Sequence, residues 1–555
     1  MQNMSRAPSP SPTGRRARLP VAGAAAQALG SALWLPQAAL LAIAVQRIAD
    51  GGGFEAVLLP AIGIVVVGVV RAFCEAWGVR RLFAAARKLL TARRAEVVDA
   101  LASRSPLDRS RPASGLAASA IAEQAEALMP WLMRYQPARW RVMLVPPVIV
   151  LAVGWYSWIA ALVLLMAAPL IPLFMAIIGW RAKAASDRQM LQLGSMNAFL
   201  LDRLRGLSTL RALHAVDATA LRVRDAAMAL RRRTMAVLRI AFLSSAVLEL
   251  FAALGVAMVA VYVGFHLLGY LNFGAWGVRL SLGEGLFVLL LAPAFFEPLR
   301  ELSAVWHDRA AGEAAQDALD RIGLGGVALP GAHAAATHAL RRTGASVAIR
   351  QLGFAHAGEV ALFDDLTVTI AAGEHVALVG PSGSGKTVLL SLIAGLLPVQ
   401  RGEIAIAGVP LTHATAFASR ARMGWIGQRP HVFGASVSSN VALWRDDVDG
   451  DAVRKAIRFA GLAHVAQAHP AAALGEGGAG LSGGEAVRLA LARVAVSGSA
   501  DLLLVDEPTA HLDADTAREV IDALMALAHG KTMIVATHDP LLIARLGRVP
   551  EREAA

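Results

Sequence analysis

One stretch of the chain has the composition and spacing of a loop that binds phosphate groups. It follows the short apolar segment 376–379, precedes an apolar helical segment, and consists of Gly380, Pro381, Ser382, Gly383, Ser384, Gly385, Lys386 and Thr387. Glycines let backbone N–H groups surround a phosphate at a helix N-terminus, where the helix dipole also favours an anion. Lys386 would then reach the β- and γ-phosphates, and the Thr387 hydroxyl would bind Mg²⁺. The order of strand, loop and helix argues against a chance match in a glycine-rich chain.

A second apolar segment, residues 502–505, ends in the adjacent carboxylates Asp506 and Glu507. Asp506 suits the coordination shell of Mg²⁺, and Glu507 is placed to polarise an attacking water as the general base. Two acids at a strand end are common on protein surfaces, so this pair alone is a weak signal. Combined with the phosphate loop, it predicts hydrolysis of a nucleoside triphosphate.

A third motif gives the pattern its specificity: residues 481–485 read Leu-Ser-Gly-Gly-Glu, shortly before the Asp506 segment. With Gln428, Asp513 and His538, the motifs over residues 346–545 resemble the ATP-binding-cassette (ABC) family, because they occur in that family's order. The resemblance implies an α/β P-loop ATPase domain with ATP and Mg²⁺ as cofactors. It also implies that Gln428 joins the Mg²⁺ and water shell, and that His538 contacts the γ-phosphate.

The same resemblance implies a dimer. In ABC proteins the signature of one subunit, here Ser482, Gly483 and Gly484, clasps the nucleotide held by the opposite subunit, and Asp513 lies on the seam. Two residues depart from the family's pattern. Glu485 replaces the usual Gln and adds a negative charge near a nucleotide, which would weaken closure there. His356 stands where an aromatic residue, commonly Tyr, stacks on adenine.

The composition requires a membrane. Of the 555 residues, 56% are hydrophobic and only 17% are charged, whereas a soluble chain carries about 25% charge. The formal net charge is +12, and the basic residues flank apolar segments, which favours a membrane surface over nucleic acid. Since a span takes about 20 mostly apolar residues, six are predicted, at 21–46, 56–78, 136–156, 158–180, 241–268 and 282–305.

The distribution of arginine predicts how the chain is oriented. The connections 79–135 and 181–240 are rich in basic residues, so the positive-inside rule places them, both termini and the ATPase domain in the cytoplasm. Helices continue into these connections, and the segment 199–211 is a candidate contact with an ATPase domain. The predicted organisation is a disordered tail at 1–20, a transmembrane domain at 21–322, a linker at 323–345, the ATPase domain at 346–545 and a tail at 546–555.

Six spans fused ahead of the ATPase domain resemble half of a type I ABC exporter. The segments 199–211, 233–245, 291–300 and 508–513 narrow this to the CydD-type subunit of the bacterial thiol-reductant exporter. That resemblance implies a heterodimer with a CydC-type chain in the inner membrane. It further implies export of glutathione or cysteine to the periplasm in support of cytochrome bd assembly, and a link to haem b.

Several ionisable residues near the membrane have two readings. Glu249, in the fifth span, either lines the transport pathway or pairs structurally. Glu297 and Arg300 are expected to form an ion pair or interfacial contacts. His307 is a candidate haem ligand through a neutral imidazole nitrogen, although a histidine near a helix end is more often solvated or hydrogen-bonded.

Four alternative functions remain open, are disfavoured or are excluded by the sequence. A homodimeric exporter of lipids or drugs would have the same architecture, and haem transport or haem-regulated transport by the same complex is a further alternative. A haem-binding membrane protein with a vestigial ATPase is disfavoured by the intact Lys386, Glu507 and His538. A soluble cassette ATPase acting on DNA or ribosomes is excluded by the six apolar spans.

Overall fold

The computed structural model describes residues 21–112, 114–169, 199–200, 202–203, 206–276, 279–323, 325–332, 344–381, 383–468, 474 and 481–546. They form two compact units, Met1–Val97 with Ser114–Arg321, and Val98–Ala113 with Ile322–Ala555. Outside the described residues lie the predicted tail at 1–20, residues 170–180 of the fourth span, residues 333–343 of the linker and the end of the chain from residue 547.

The first unit is built of helices. A five-residue π-helical turn, Trp131–Tyr135, lies between the helices Leu128–Pro130 and Gln136–Tyr156, and a 3₁₀ turn covers Gln124–Ala127. The helices are α1 Val21–Ala32, α2 Trp34–Ala49, α3 Phe54–Ala102, α4 Ser114–Ala122, α5 Leu128–Pro130, α6 Gln136–Tyr156, α7 Trp158–Ala167, α8 Leu207–Ala212, α9 Val216–Leu267, α10 Leu282–Ala304 and α11 Trp306–Gly323.

The helices confirm a protein that crosses the membrane several times. Five described stretches are long and apolar enough to span a bilayer, and α7 covers the described part of the fourth predicted span. On α3 the apolar side chains of Val65, Val69 and Phe73 are 64%, 64% and 69% exposed. A continuous exposed apolar face of this kind is stable against lipid and unstable against water. The stretches are Val21–Ala49, Phe54–Ala102, Ser114–Tyr156, Ala246–Leu267 and Leu282–Gly323.

The core of this unit forms where α2, α6, α7, α9 and α10 meet, around Ile149, Leu164, Val263, Leu291 and Phe295. Its packing is close. A Cβ atom on Gly255 of α9 would lie 2.4 Å from Cζ of Phe296 on α10, so the phenyl ring occupies the space that a side chain would need.

A polar cluster ties three helices of the unit together. Arg141 of α6 donates two hydrogen bonds to Glu301 of α10, at 2.7 and 2.8 Å, and one to Oε1 of Gln27 of α1, at 3.1 Å. Hydrogen bonds between ionised groups are stronger than those between neutral groups. The cluster therefore sets the position of α1 against α6 and α10.

The second unit contains two four-stranded sheets, in the orders β2-β1-β4-β5 and β3-β8-β7-β6. The strands are β1 Val347–Phe354, β2 Phe363–Ile370, β3 His375–Leu378, β4 Arg401–Ile406, β5 Val409–Pro410, β6 Met423–Ile426, β7 Leu502–Asp506 and β8 Thr532–Ala536. The helices are α12 Lys386–Ile393, α13 Ala416–Arg420, α14 Val437–Ala442, α15 Gly450–Phe459, α16 Ala463–Ala468, α17 Gly483–Ser497, α18 Ala514–Ala528 and α19 Pro540–Arg545.

The predicted α/β fold of the ATPase domain is confirmed, and the pairings of β3-β8-β7-β6 are all parallel. Strands β7 and β8 are fully buried, and strands buried on both faces read as continuous apolar runs in the sequence. The antiparallel sheet was not predicted, because β2 is buried only at its two ends, with exposed and half-buried residues between them, and gives a weaker apolar signal.

The close approach of α1 to α3 gives a test of the packing. A Cβ on Gly78 would lie 2.8 Å from the Gly23 carbonyl oxygen and from Cγ of Gln27. Gly78→Ala should therefore lower the free energy of unfolding by about 1–3 kcal/mol through overpacking, seen as a lower melting temperature in detergent. Gly264→Ala is the control, since nothing lies within 4 Å of its Cβ position and alanine there favours the helix. Equal melting temperatures for the two variants would contradict this packing.

Candidate functional site

The predicted phosphate loop connects β3 to α12. Gly383 and Gly385 have φ angles of +83° and +90°, a conformation that glycine adopts without strain. A Cβ on Gly385 would also lie 2.8 Å from Cζ of Phe363. The Lys386 ammonium donates to the carbonyl oxygens of Gly380 and Pro381, at 2.8 and 3.2 Å. Its positive charge therefore lies beside the loop that would bind the phosphates. Ser382 lies outside the described residues, while Ser384 precedes the helix in the same turn.

Thr387 and Asp506 form a pair suited to a metal ion. The Thr387 hydroxyl donates to Oδ2 of Asp506 at 2.8 Å, whereas Oδ1 of Asp506 is buried with no hydrogen-bond partner. Burial raises the pKa of Asp506, and the hydrogen bond from Thr387 opposes that rise. An unpartnered buried carboxylate oxygen costs free energy that a divalent cation recovers. These two residues therefore fit Mg²⁺, for which hydroxyl and carboxylate oxygens are suitable ligands.

Glu507 and His538 contact each other at the ends of β7 and β8. The Nδ1 atom of His538 lies 2.7 Å from Oε2 of Glu507. The backbone N–H of Glu507 donates to the Ala536 carbonyl at 2.8 Å, and Glu507 has a φ angle of +48°. Positive φ is uncommon for residues other than glycine, so the sheet holds Glu507 in a fixed orientation. Its side chain is 12% exposed, which leaves it accessible to a water molecule.

The parallel sheet brings the separate motifs to one edge. Leu378 of β3, Ala536 of β8 and Asp506 of β7 stand in one register row, and Ile426 of β6 pairs with Val505. The phosphate loop, His538, Glu507 and Gln428 directly follow these positions along the chain. In α/β sheets, ligands bind outside the carboxyl ends of the strands, and the predicted ATP residues of this chain meet there.

The signature residues start helix α17. Ser482 caps the helix, its Oγ accepting from the Glu485 N–H at 3.2 Å, while Oε2 of Glu485 accepts from the Ser482 N–H at 2.7 Å. Oε1 of Glu485 lies 3.1 Å from Nε2 of His464. Burial alone would raise the pKa of Glu485, but the hydrogen bonds from Ser482 and His464 outweigh it and lower the pKa. Both oxygens of the Glu485 carboxylate are therefore already in contact with a polar partner in the same chain.

The signature residue Gly484 contacts helix α18, and the predicted seam residue Asp513 caps it. A Cβ on Gly484 would lie 2.5 Å from Cγ2 of Thr516, so only glycine fits without displacing α18. Asp513 caps α18 by accepting from the N–H groups of Asp515 and Thr516, at 3.2 and 3.0 Å, and hydrogen bonds from Thr516 lower its pKa. Gly483 is the first residue of α17.

Two candidates remain, one in each unit of the chain. His356 follows β1 of the antiparallel sheet. Its ring stands edge-on to the Phe354 ring, with the two ring centroids 5.2 Å apart. His307 lies in the first unit, in the first turn of α11, with its side chain 75% exposed and its Nε2 atom 3.1 Å from Oδ1 of Asp308.

Sequence reasoning missed a segment that belongs to the second unit, residues 98–113. The buried Ser105 donates through Oγ to the Leu396 carbonyl at 2.6 Å, just beyond the end of α12, and its N–H donates to the Val327 carbonyl at 2.8 Å. Asp108 accepts from the N–H groups of Val327 and Ser110 at 3.0 and 2.9 Å. The break of a long helical pattern by Ser, Arg, Ser and Pro at 103–106 was the available signal.

The segment 199–211 stays a predicted contact with an ATPase domain, since residues 201, 204 and 205 lie outside the described part of the chain.

The chain matches two family descriptions in sequence. Residues 21–290 match the ABC transporter transmembrane region, and residues 363–510 match the ABC transporter domain. The chain is 36% identical over 511 residues to the glutathione/L-cysteine transport system ATP-binding/permease protein CydD of Escherichia coli K12, covering 90% of this chain and 86% of that protein. It is 36% identical to the Haemophilus influenzae protein of that name, covering 80% and 75%. The CydC protein of Bacillus subtilis is 29% identical, covering 76% and 73%.

The fold agrees with these relatives. A bacterial Atm1-family ABC exporter with ATP bound superimposes with a TM-score of 0.75 at 23% identity, covering 96% of this chain and 92% of that one. At that identity the likeness shows the fold of an ABC exporter, with a helical transmembrane region followed by an α/β ATPase. Because the sequence similarity to CydD proteins extends over nine-tenths of the chain, this protein belongs to the CydD family of ABC transporter subunits, which couple ATP hydrolysis to transport.

Proposed function

We propose that the chain exports glutathione or cysteine across the bacterial inner membrane, as one half of a heterodimer with a CydC-type subunit. The observation that carries the proposal is the similarity to glutathione/L-cysteine transport proteins along nearly the whole chain. The basic connections between spans favour cytoplasmic termini and a cytoplasmic ATPase domain. Support of cytochrome bd assembly follows from the family resemblance.

In this proposal the edge of the parallel sheet is half of an ATP site. Lys386 and the loop N–H groups bind the phosphates, and Thr387, Asp506 and Gln428 hold Mg²⁺, which neutralises charge on the phosphates when bound. Glu507 accepts a proton from the attacking water, and His538 orients Glu507 and contacts the γ-phosphate. His356 packs on the adenine. Ser482 and Gly484 contact the nucleotide of the partner subunit, which explains why a dimer is needed.

Charged residues on α9 and α10 support an aqueous transport pathway. Arg300 is ion-paired with Glu297 and lies 3.9 Å from Glu249, with side chains 47%, 60% and 75% exposed. Ionised groups facing lipid are costly, so this face is better explained by a water-filled space between two subunits. A cluster with both signs of charge suits a zwitterionic cargo.

Haem binding is a second candidate function, and the contact between His307 and Asp308 favours it. A carboxylate that accepts from one ring nitrogen fixes the tautomer and raises the basicity of the other, as in many metal-ligating histidines. Haem would then be cargo or regulator of the same complex. A homodimeric exporter of lipids or drugs is the remaining alternative.

The first experiment separates these functions. ATPase activity should require co-expression with a CydC-type partner and should rise with reduced glutathione or cysteine. Stimulation by haemin alone would favour haem. Full activity of the single chain, indifferent to thiols and haemin, would identify a homodimeric exporter of other cargo.

The proposed general base can be tested by substitution. Glu507→Gln should keep ATP binding but lose most of the turnover at this chain's site, since a general base contributes about 10²–10⁴-fold. ATP hydrolysis by the assembled transporter measures the effect. Glu519→Gln, on an exposed carboxylate that pairs with Arg488, is the matched control and should retain activity. An unchanged rate for Glu507→Gln would remove this residue from the mechanism.

The segment around Asp108 predicts a variant that hydrolyses ATP without transporting. Asp108→Asn replaces a carboxylate acceptor of three hydrogen bonds, from Val327 and twice from Ser110, at a cost of about 1–3 kcal/mol. We expect the amount of thiol transported per ATP hydrolysed to fall in proteoliposomes. Asp99→Asn, on an exposed side of α3, should keep the wild-type ratio. An unchanged ratio in both variants would show that this anchor does not transmit ATPase closure.

A further inference from the structure

A cleft of about 580 Å³ lies within the first unit, between α3, the π-helical turn, α6 and α11. We call it the stalk cleft. Its volume falls in the range of roughly 300–1,000 Å³ that is usual for small-molecule sites. Aromatic and charged side chains line it together, among them Arg93, Trp131, Tyr135, Arg139, Arg309 and Glu313.

The walls of the cleft are closely fitted. Trp131 and Tyr135 of the π-helical turn both line the cleft. Such turns are rare in proteins, and those that occur are often found at functional sites. Gly312 of α11 allows the close approach of this turn, since its Cβ would lie 2.5 Å from Cβ of Trp131. Arg309 lies over the Tyr135 ring at 5.8 Å and donates to Glu313 at 2.8 Å. The aromatic wall and the arginine therefore hold each other in place.

The charges in the cleft have both signs. Arg93 contacts Glu96 at 2.9 Å and Asp320 at 4.0 Å. Arg139 is exposed and has no ion pair within the described part of the chain. A ligand with carboxylates and an ammonium group separated by a peptide-sized spacer would match this arrangement, because each of its charges would meet an opposite one.

We propose that the stalk cleft binds a zwitterionic, peptide-sized molecule that carries free carboxylates, and that reduced glutathione is such a ligand. The proposal rests on the proposed function for the identity of the ligand, but it assigns a site apart from the Glu249, Glu297 and Arg300 face. A carboxylate of the ligand pairs with Arg139, its ammonium group faces Glu313 and Asp320, and its backbone packs on Trp131.

The position of the cleft gives the ligand a route to the ATPase. Helices α3 and α11 form two of its walls and are also the two segments that lead from the first unit into the second. In the second unit their continuations are hydrogen-bonded to each other, Ser105 N–H to the Val327 carbonyl and Leu329 N–H to the Ser103 carbonyl, at 2.8 and 2.9 Å. A ligand that draws α3 and α11 together therefore acts on both connections at once, and it stimulates hydrolysis when cytoplasmic thiol peptide is abundant.

Calorimetric titration of the heterodimer in nanodiscs with reduced glutathione, without ATP, tests the site. The wild type should bind one equivalent more than Arg139→Glu, and Arg139→Gln should weaken that equivalent at least tenfold. Lys88→Glu is the matched control, because Lys88 is exposed on α3 outside the lining; it should bind as the wild type. S-methylglutathione should bind equally well and glutathione diethyl ester should not, because the cleft contacts charges and not sulfur.

The outcomes separate this inference from the proposed function. Unchanged stoichiometry and affinity in both Arg139 variants would overturn the stalk site while leaving thiol export intact. Loss of the partner subunit on co-purification of Arg139→Glu, but not of Lys88→Glu, would also overturn it and identify the cleft as a subunit interface. Thiol export itself is measured separately, as glutathione uptake into inside-out vesicles, and its absence in the wild type would refute the proposed function.

Discussion

The parallel pairing of β3, β8, β7 and β6 is the constraint on which the ATPase half depends. Each of these strands is followed by a residue for which we propose a different role in ATP hydrolysis, and the sheet places the ends of the strands in neighbouring positions. The strands are apolar because they are covered on both faces. Burial of β7 and β8 in turn fixes Glu507 at an uncommon backbone angle and leaves Oδ1 of Asp506 without a partner. The same packing that stabilises the sheet thus prepares a site for phosphate and metal.

A second constraint comes from the bilayer. The first unit exposes apolar side chains that water would not tolerate, while it pairs charged groups such as Arg141 and Glu301, which are both partly buried. In hydrocarbon an ionised group must be paired or must face water. We propose that the exposed trio of Glu249, Glu297 and Arg300 marks a face of α9 and α10 that borders water rather than lipid. A transporter half-molecule needs that distinction, because the pathway for a polar cargo lies between two such halves.

The chain passes from the first unit to the second within α3 and within α11, and the segments that follow in the second unit are hydrogen-bonded to each other. The end of α3 and the start of the linker exchange backbone hydrogen bonds, and Ser105 attaches them to the chain just after α12. Since α12 begins with Lys386 and Thr387, a short path of bonded structure runs from the phosphate loop to a helix that spans the membrane. Transport coupled to hydrolysis requires such a path with two arrangements, one for each state of the nucleotide.

Much of this protein could be determined from the sequence because the signals are local. Each ATPase motif is a short continuous run of residues: the phosphate loop, the signature at Ser482, and the carboxylates at Asp506 and Glu507. Apolar runs of span length identify membrane helices directly. The tertiary structure decided what depends on residues far apart in the chain. It paired Glu485 with His464 and His538 with Glu507, it recruited Ser105 and Asp108 to the ATPase unit, and it formed the stalk cleft from three separate stretches. No local pattern encodes these contacts, because they arise only when the helices and strands pack.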